Sequence, residues 1–178
     1  NGTWLLMKDV YETRQWHSSD SNSYKASTIH SYLNSTFLNL FDSNIKDAIK
    51  QVKIPYVNGT GNSAVASGAN GLSAKIFLLS GYEVGWTTSD SSYFPVDGAK
   101  LDYFAASSGG NSKRIAYLNG SATYWWLRSP HASSTSYVWV VYSGGDSRVS
   151  DSSNAHGIRP ALVLPTDTPV SDDGTIAV

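Results

Sequence analysis

YWWLRSPHASSTSYVWVVYSGGDSRVSDSSNAHGIRPAL, residues 124–162, is the stretch on which the reading of this chain turns. Its two ends, Tyr124–Pro130 and Gly157–Leu162, are apolar and aromatic and carry one arginine each, Arg128 and Arg159. Between them, residues 131–156 hold no Lys, Glu, Gln, Met or Pro. They are built from Ser, Tyr, Gly, Asp, Asn, His and small residues. Tyr gives rigid contact area, and Ser, Gly and Asn give adaptable hydrogen bonds, so this is the vocabulary of a binding loop. The plainer alternative is an ordinary solvated loop and hairpin.

Within the stretch, Tyr124–Leu127, Tyr137–Tyr142 and Ile158–Leu164 read as strands, and Ser143-Gly144-Gly145-Asp146 carries hairpin-turn chemistry. Alternation places Tyr137, Trp139 and Val141 on one face and Val138, Val140 and Tyr142 on the other. Periodicity does not say which face is displayed; Tyr142, beside the turn, is the better candidate. The area of Trp125 and Trp126 suits a core. Arg128 and Arg159 suit forked hydrogen bonds to backbone carbonyls or a carboxylate, and a scaffold role outweighs ligand contact for both.

Upstream, Gly2–Val10 reads as a short buried strand, followed by a polar loop through Trp16 and Lys25. Ser27 or Thr28 is the expected N-cap of a helix carrying Ile29, Tyr32, Leu33, Phe37, Leu38 and Phe41 at helical spacing. Asp42 or Ser43 is set to cap a second helix with Ile45, Ala48, Ile49 and Val52 on one side, closed by Pro55. Residues 58–71 read as a flexible loop, 74–80 as a strand, 87–92 as a polar stretch and 98–104 as a helix or turn. Two early helices followed by short strands and long loops describe a loop-rich α+β domain without internal repeats.

The 178 residues suit one domain. A net charge of −1 offers no basic field for nucleic acid. Cysteine is absent, which removes disulfides, thiolate metal sites and thiol nucleophiles. No apolar run reaches the roughly 20 residues that cross a bilayer, so no membrane insertion is expected. Asn at position 1 and strand-like sequence at residue 4 point to the C-terminal part of a longer polypeptide.

Enzyme signals are thin. His17, His30, His131 and His156 show no HxxxH or HExxH spacing. Gly71-Leu72-Ser73-Ala74-Lys75 fails the nucleophile-elbow pattern at its last position. The two glutamates, Glu12 and Glu83, form no evident carboxylate pair for glycoside hydrolysis. Asp20-Ser21-Asn22 and Asp172-Asp173-Gly174 resemble fragments of calcium loops but read better as turns. Asn1, Asn34, Asn58 and Asn119 stand in N-x-Ser/Thr sequons of the kind a Ser/Asn-rich chain produces by chance. No catalytic residue and no cofactor are expected.

WWLRSP at 125–130 and GIRPAL at 157–162, with STIHSYLNSTFLNLF at 27–41, KIFLLSGYEVG at 75–85 and RIAYLNGSATYWWLRSP at 114–130, resemble a domain family of unknown function widespread in gut Firmicutes and their phages. The layout is similar to the C-type-lectin-like fold of formylglycine-generating enzymes and of the variable proteins of diversity-generating retroelements. In the latter, a C-terminal segment is mutated at adenines on a fixed backbone. Adenine mutagenesis of Asn codons reaches Ser, Tyr, Asp, Gly, His, Ala, Val, Arg and Thr but never Lys, Glu, Gln, Met or Trp. Residues 131–156 obey that restriction except at Trp139, assigned to the scaffold. The absent cysteines exclude formylglycine-generating chemistry, and the sugar-binding calcium motifs of lectins are missing.

The resemblance implies a single C-type-lectin-like domain with short antiparallel strands, acting as a non-enzymatic ligand- or receptor-binding module. It would sit on a phage tail or bacterial cell surface as a homo-oligomer and face a protein or glycan receptor. The expected contact set is His131, Ser134, Ser136, Tyr137, Tyr142, Ser143, Asp146, Arg148, Ser150, Ser152, Asn154 and His156, with Tyr137, Tyr142 and Arg148 dominant. Trp125, Trp126, Arg128, Trp139 and Arg159 form the expected frame. The runner-up is a structural virion or cell-surface protein without a diversified site.

Overall fold

A computed structural model describes residues 2–59, 61, 64–86, 95–105 and 110–169. The chain opens with strands β1 (Thr3–Leu6) and β2 (Thr13–Gln15). A 3-10 turn at Tyr24–Ala26 leads into helix α1 (Thr28–Tyr32), which continues as a π turn at Leu33–Phe37 and a 3-10 turn at Leu38–Leu40. Helix α2 (Ser43–Ala48) precedes β3 (Val52–Ile54), β4 (Tyr56–Val57), β5 (Val65–Ala66), β6 (Leu72–Ala74) and β7 (Ile76–Phe77). Short helices α3 (Asp102–Ala105) and α4 (Gly110–Arg114) follow, then β8 (Tyr117–Leu118) and β9 (Ser121–Ala122). The C-terminal third holds β10 (Trp125–Pro130), β11 (Tyr137–Val141), β12 (Ser147–Asp151), β13 (Ala155–Gly157) and β14 (Ala161–Leu164). The class is α+β.

The main sheet runs β12-β11-β10-β13-β2 and the second β1-β14-β7; β3-β6, β4-β5 and β8-β9 are separate ribbons. Pairing is antiparallel except between β10 and β13, which meet parallel at Trp125 and Gly157. Gly157 permits that approach, because a Cβ there would lie 2.6 Å from Val10 Cγ1 and 2.8 Å from the Tyr124 carbonyl. Every residue of β10 is buried.

Ser27 caps α1 as expected, its hydroxyl accepting from the His30 amide at 3.1 Å. Ile29, Leu33 and Phe37 carry the buried stripe. Several expectations need correction. The N-terminal strand spans only Thr3–Leu6 and is half-exposed, since β1 is a sheet edge and Trp4 lies 42% open. Trp16 belongs to no polar loop: it is fully buried, its indole donating to the Leu127 carbonyl at 3.0 Å. Val52 leaves the second helix for β3, where β-branched Val52 and Ile54 flank Lys53, so Pro55 closes a strand. Part of the 58–71 loop is strand, Val57 pairing with Val65. The run 74–80 is split at Lys75, where Asn34 Oδ1 accepts from the Lys75 and Ile76 amides at 2.8 and 3.2 Å. The polar stretch 87–92 lies outside the described residues.

Candidate binding face

Arg128 organises the frame. Its guanidinium has five N–H groups, and each has an acceptor. Nε donates to Pro55 O at 2.9 Å, and Nη1 to Leu78 O at 2.9 Å and Glu83 Oε2 at 2.6 Å. Nη2 donates to Glu83 Oε1 and Asp97 O, both at 2.6 Å. Glu83 Oε2 also accepts from the Ser80 amide at 2.9 Å, while Ser80 Oγ accepts from the Glu83 amide at 3.1 Å. Burial alone would lower the Arg128 pKa; Glu83 and Asp97 outweigh it and hold the pKa up. Four separate backbone segments are thus tied to one buried ion pair. The expected frame members Trp125 and Trp126 lie on the same buried strand, β10. Trp125 donates to Arg114 O at 2.8 Å and Trp126 to Arg14 O at 2.9 Å. Trp139 is only half-buried, its ring stacked 5.6 Å from that of His131.

Asp97 completes this cluster by accepting from Ser129 Oγ at 2.8 and 3.0 Å. Burial raises its pKa from 3.8 to about 6, against the lowering pull of Arg128 and Ser129. A carboxyl whose folded pKa is raised adds stability at low pH and loses it as pH climbs through the folded value. The stability of the wild type relative to Asp97→Asn is therefore expected to fall between pH 3.8 and about 6 and then level off. Urea denaturation of both proteins across that range checks it; a constant or rising difference would contradict the assignment. The lowered pKa values of His30, His131 and His156, caused by burial, are common to both proteins and cancel.

The hairpin β11–β12 pairs Tyr137 with Asp151, Val138 with Ser150, Trp139 with Val149, Val140 with Arg148 and Val141 with Ser147. Directly opposed residues share a face. One face therefore carries Tyr137, Trp139 and Val149, with His131 stacked on Trp139. The other carries Arg148 and Ser150, and beyond them Tyr142, Tyr124 and His156. Arg148 lies over the Tyr142 ring at 5.3 Å, and Tyr142 meets Tyr124 edge-on at 4.4 Å. Tyr124 stacks with His156 at 5.5 Å, and His156 Nε2 lies 2.8 Å from Ser150 Oγ, to which Asn154 Nδ2 donates at 3.1 Å. The row continues onto β2, where Arg14 opposes His156, covers the Tyr32 ring at 3.6 Å and pairs with Glu12 at 3.0 Å.

The expected contact set is thus divided. Tyr142, Arg148, Ser150, Asn154 and His156 share one aromatic and polar face. Tyr137 and His131 look the other way, with Ser134 and Ser136 in the loop beside them. Ser143 and Asp146 sit in the hairpin turn. Ser152 is a correction: it is fully buried, its hydroxyl donating to Ser19 O at 3.2 Å and its amide to Ser136 O at 3.0 Å. Tyr124, Arg14, Tyr32 and Glu12 join the face from outside residues 131–156, where sequence gave no sign of them. The face offers ring surfaces, one exposed guanidinium, an amide and an imidazole that burial keeps neutral at pH 7. Its chemistry is stacking and hydrogen bonding.

The loop before the hairpin hangs from Asn22, which is fully buried. Its Nδ2 donates to Ser134 O and Tyr137 O at 2.9 Å each and lies 3.4 Å from His131 O. Its amide donates to Thr135 O at 2.9 Å. Gly59, at φ +80°, leaves room for it, since a Cβ there would sit 2.4 Å from Asn22 O. The fragment Asp20-Ser21-Asn22 is accordingly a tether. Among the described residues no group of three His, Asp or Glu side chains is placed to hold a metal ion. Asp172-Asp173-Gly174 lies outside them.

A family model described as Domain of unknown function (DUF6273) matches residues 1–166. The chain belongs to the DUF6273 family. No curated protein and no solved structure matches it. In this DUF6273 domain no helix among the described residues is long and apolar enough to cross a membrane.

Proposed function

We propose that this DUF6273 domain is a non-enzymatic receptor-binding module of C-type-lectin-like architecture, diversified by a retroelement and carried on a phage tail or bacterial surface. One observation supports the reading most. Tyr142, Arg148, Asn154 and His156 reach solvent on a sheet whose central strand, β10, is buried throughout. Arg148 and Asn154 are the exposed members free to change there, whereas His156 packs edge-on against Trp126 at 4.7 Å and Tyr142 against Tyr124. Tyr142 and Arg148, side by side, are the energetic centre; Tyr137, on the opposite face, is not. One small face binds weakly, so display as a homo-oligomer raises avidity toward a protein or glycan receptor.

The DNA beside the gene tests this directly. A reverse-transcriptase gene and a near-copy of the segment encoding residues 131–156 are expected, with adenine differences at the codons for Arg148, Ser150 and Asn154. Differences concentrated at the buried Val138 and Val140 or at Trp139, or no near-copy at all, would sink the reading. At the protein level, the double variant Arg148→Ala/Asn154→Ala is expected to keep the wild-type Tm. Tyr142→Ala is expected to lose about 1 kcal/mol, because its ring packs on Tyr124. Thermal denaturation of the two separates these outcomes.

The runner-up, a structural virion or surface protein, draws on a neighbouring surface beside Tyr32, whose ring lies 6.4 Å from that of Phe37. There Met7, Tyr11, Leu40 and Phe41 line an apolar groove of 640 Å³, with Leu40 59% exposed.

A further inference from the structure

Arg159 is the second arginine of the frame, and its surroundings differ from those of Arg128. The side chain is buried, with its guanidinium 5.0 Å above the ring of Trp125. Nε donates to Met7 O at 2.9 Å. Nη1 is buried without any hydrogen-bond partner among the described residues, the one side-chain atom there in that position. A buried charged donor left unpaired is costly, more so than a neutral one. Burial lowers the Arg159 pKa, and the nearby Tyr103 and Asp9 only partly counter it. Asp9 is engaged elsewhere, its Oδ1 accepting from the Tyr117 amide at 3.1 Å.

Arg159 also lines a cavity of about 720 Å³. That is the size of a site for a small organic molecule. Leu79, Leu101, Phe104, Ile115 and Ala161 give it apolar walls. Lys8 and Lys113 stand on its lining as well, against Asp9 and Asp102, so the charged groups sum to one net positive charge with Arg159 included. No residue of 131–156 contributes to it. The walls call for an apolar body and the guanidinium for one planar monoanion. With its face on Trp125 and its Nε on Met7, Arg159 has Nη1 left to satisfy, and a carboxylate is the anion whose geometry matches a guanidinium.

We propose that this cavity binds a small carboxylic acid with an apolar tail, its carboxylate paired with Arg159 and its tail against Leu101, Phe104 and Ile115. The site is separate from the hairpin face and stands whether or not that face binds a receptor.

Calorimetric titration with octanoate and with octanamide, equal in shape and different in charge, tests it. Octanoate is expected to bind the wild-type chain at least about tenfold more tightly than octanamide, the scale of a charge-assisted pair. Arg159→Met is expected to erase the preference, and Ile115→Trp, which fills the cavity and leaves Arg159 in place, to abolish binding of both. Equal affinities overturn the proposal. So does failure of octanoate to bind at millimolar concentration, undiminished binding to Ile115→Trp, or a preference that survives in Arg159→Met. If Arg159→Met does not fold, the guanidinium resonances of Arg159 in the wild type decide. They are expected to shift with octanoate and not with octanamide, and an unshifted signal overturns the assignment.

Discussion

Arg128→Ala is expected to lose about 3–5 kcal/mol of folding stability, the range for breaking a buried ion pair from one side. The reason is what stays behind. Glu83 would remain 1% exposed with its charge and without its cation, and the carbonyls of Pro55, Leu78 and Asp97 would lose their donor. Against a total stability of roughly 5–15 kcal/mol, that loss leaves a sizeable unfolded population or none folded at all. Arg128→Lys recovers little, because an ammonium has three donors where five acceptors wait. The double variant Arg128→Met/Glu83→Leu recovers more, since no charge is then stranded. Urea midpoints of the three variants rank them. A loss below about 1 kcal/mol for Arg128→Ala would show that the network is ornamental.

Asn22→Ala is expected to cost about 2–3 kcal/mol, as a buried amide leaves and the carbonyls of Ser134 and Tyr137 lose a donor each. The damage is local. Amide hydrogen exchange is expected to quicken across His131–Tyr137 and stay unchanged in β10, whose support comes from Arg128 and the indole bonds. Asn22→Asp is worse, because it sets a carboxylate among carbonyl oxygens. Unchanged exchange in the loop would mean that the remaining backbone bonds hold it unaided.

The elements legible in the sequence were those written in apolar periodicity or cap chemistry. Ser27 with Ile29, Leu33 and Phe37 announced a helix, and the Tyr124–Leu127 and Tyr137–Tyr142 runs announced strands, which span Trp125–Pro130 and Tyr137–Val141. Arg128 was recognisable as scaffold from its aromatic neighbours. Its partner was not, because Glu83 lies 45 residues away and only tertiary structure joins them. β12 went unseen for a different reason. Ser147-Arg148-Val149-Ser150-Asp151 has no apolar face to bury, being the edge strand of its sheet, and its strand character is imposed by pairing with β11. Without β12 the register was missing, so the side on which each of Tyr137, Tyr142 and Arg148 stands was unreadable. Asn22 was hidden because one buried amide in a polar run looks like any turn residue. The members of the face from β2 and α1 come from over 100 residues upstream, where no local pattern links Arg14 or Tyr32 to His156.

The pairing of β1 with β14 sets Thr3 directly opposite Leu164. These two residues are therefore one rung apart, about 5 Å between α-carbons. Tension pulling on these two points peels the ribbon open rung by rung instead of shearing all its bonds together. A carrier protein that held the unit by both ends would possess a mechanical fuse at that seam. One that held it by a single end would pass the load through the sheet and spare it.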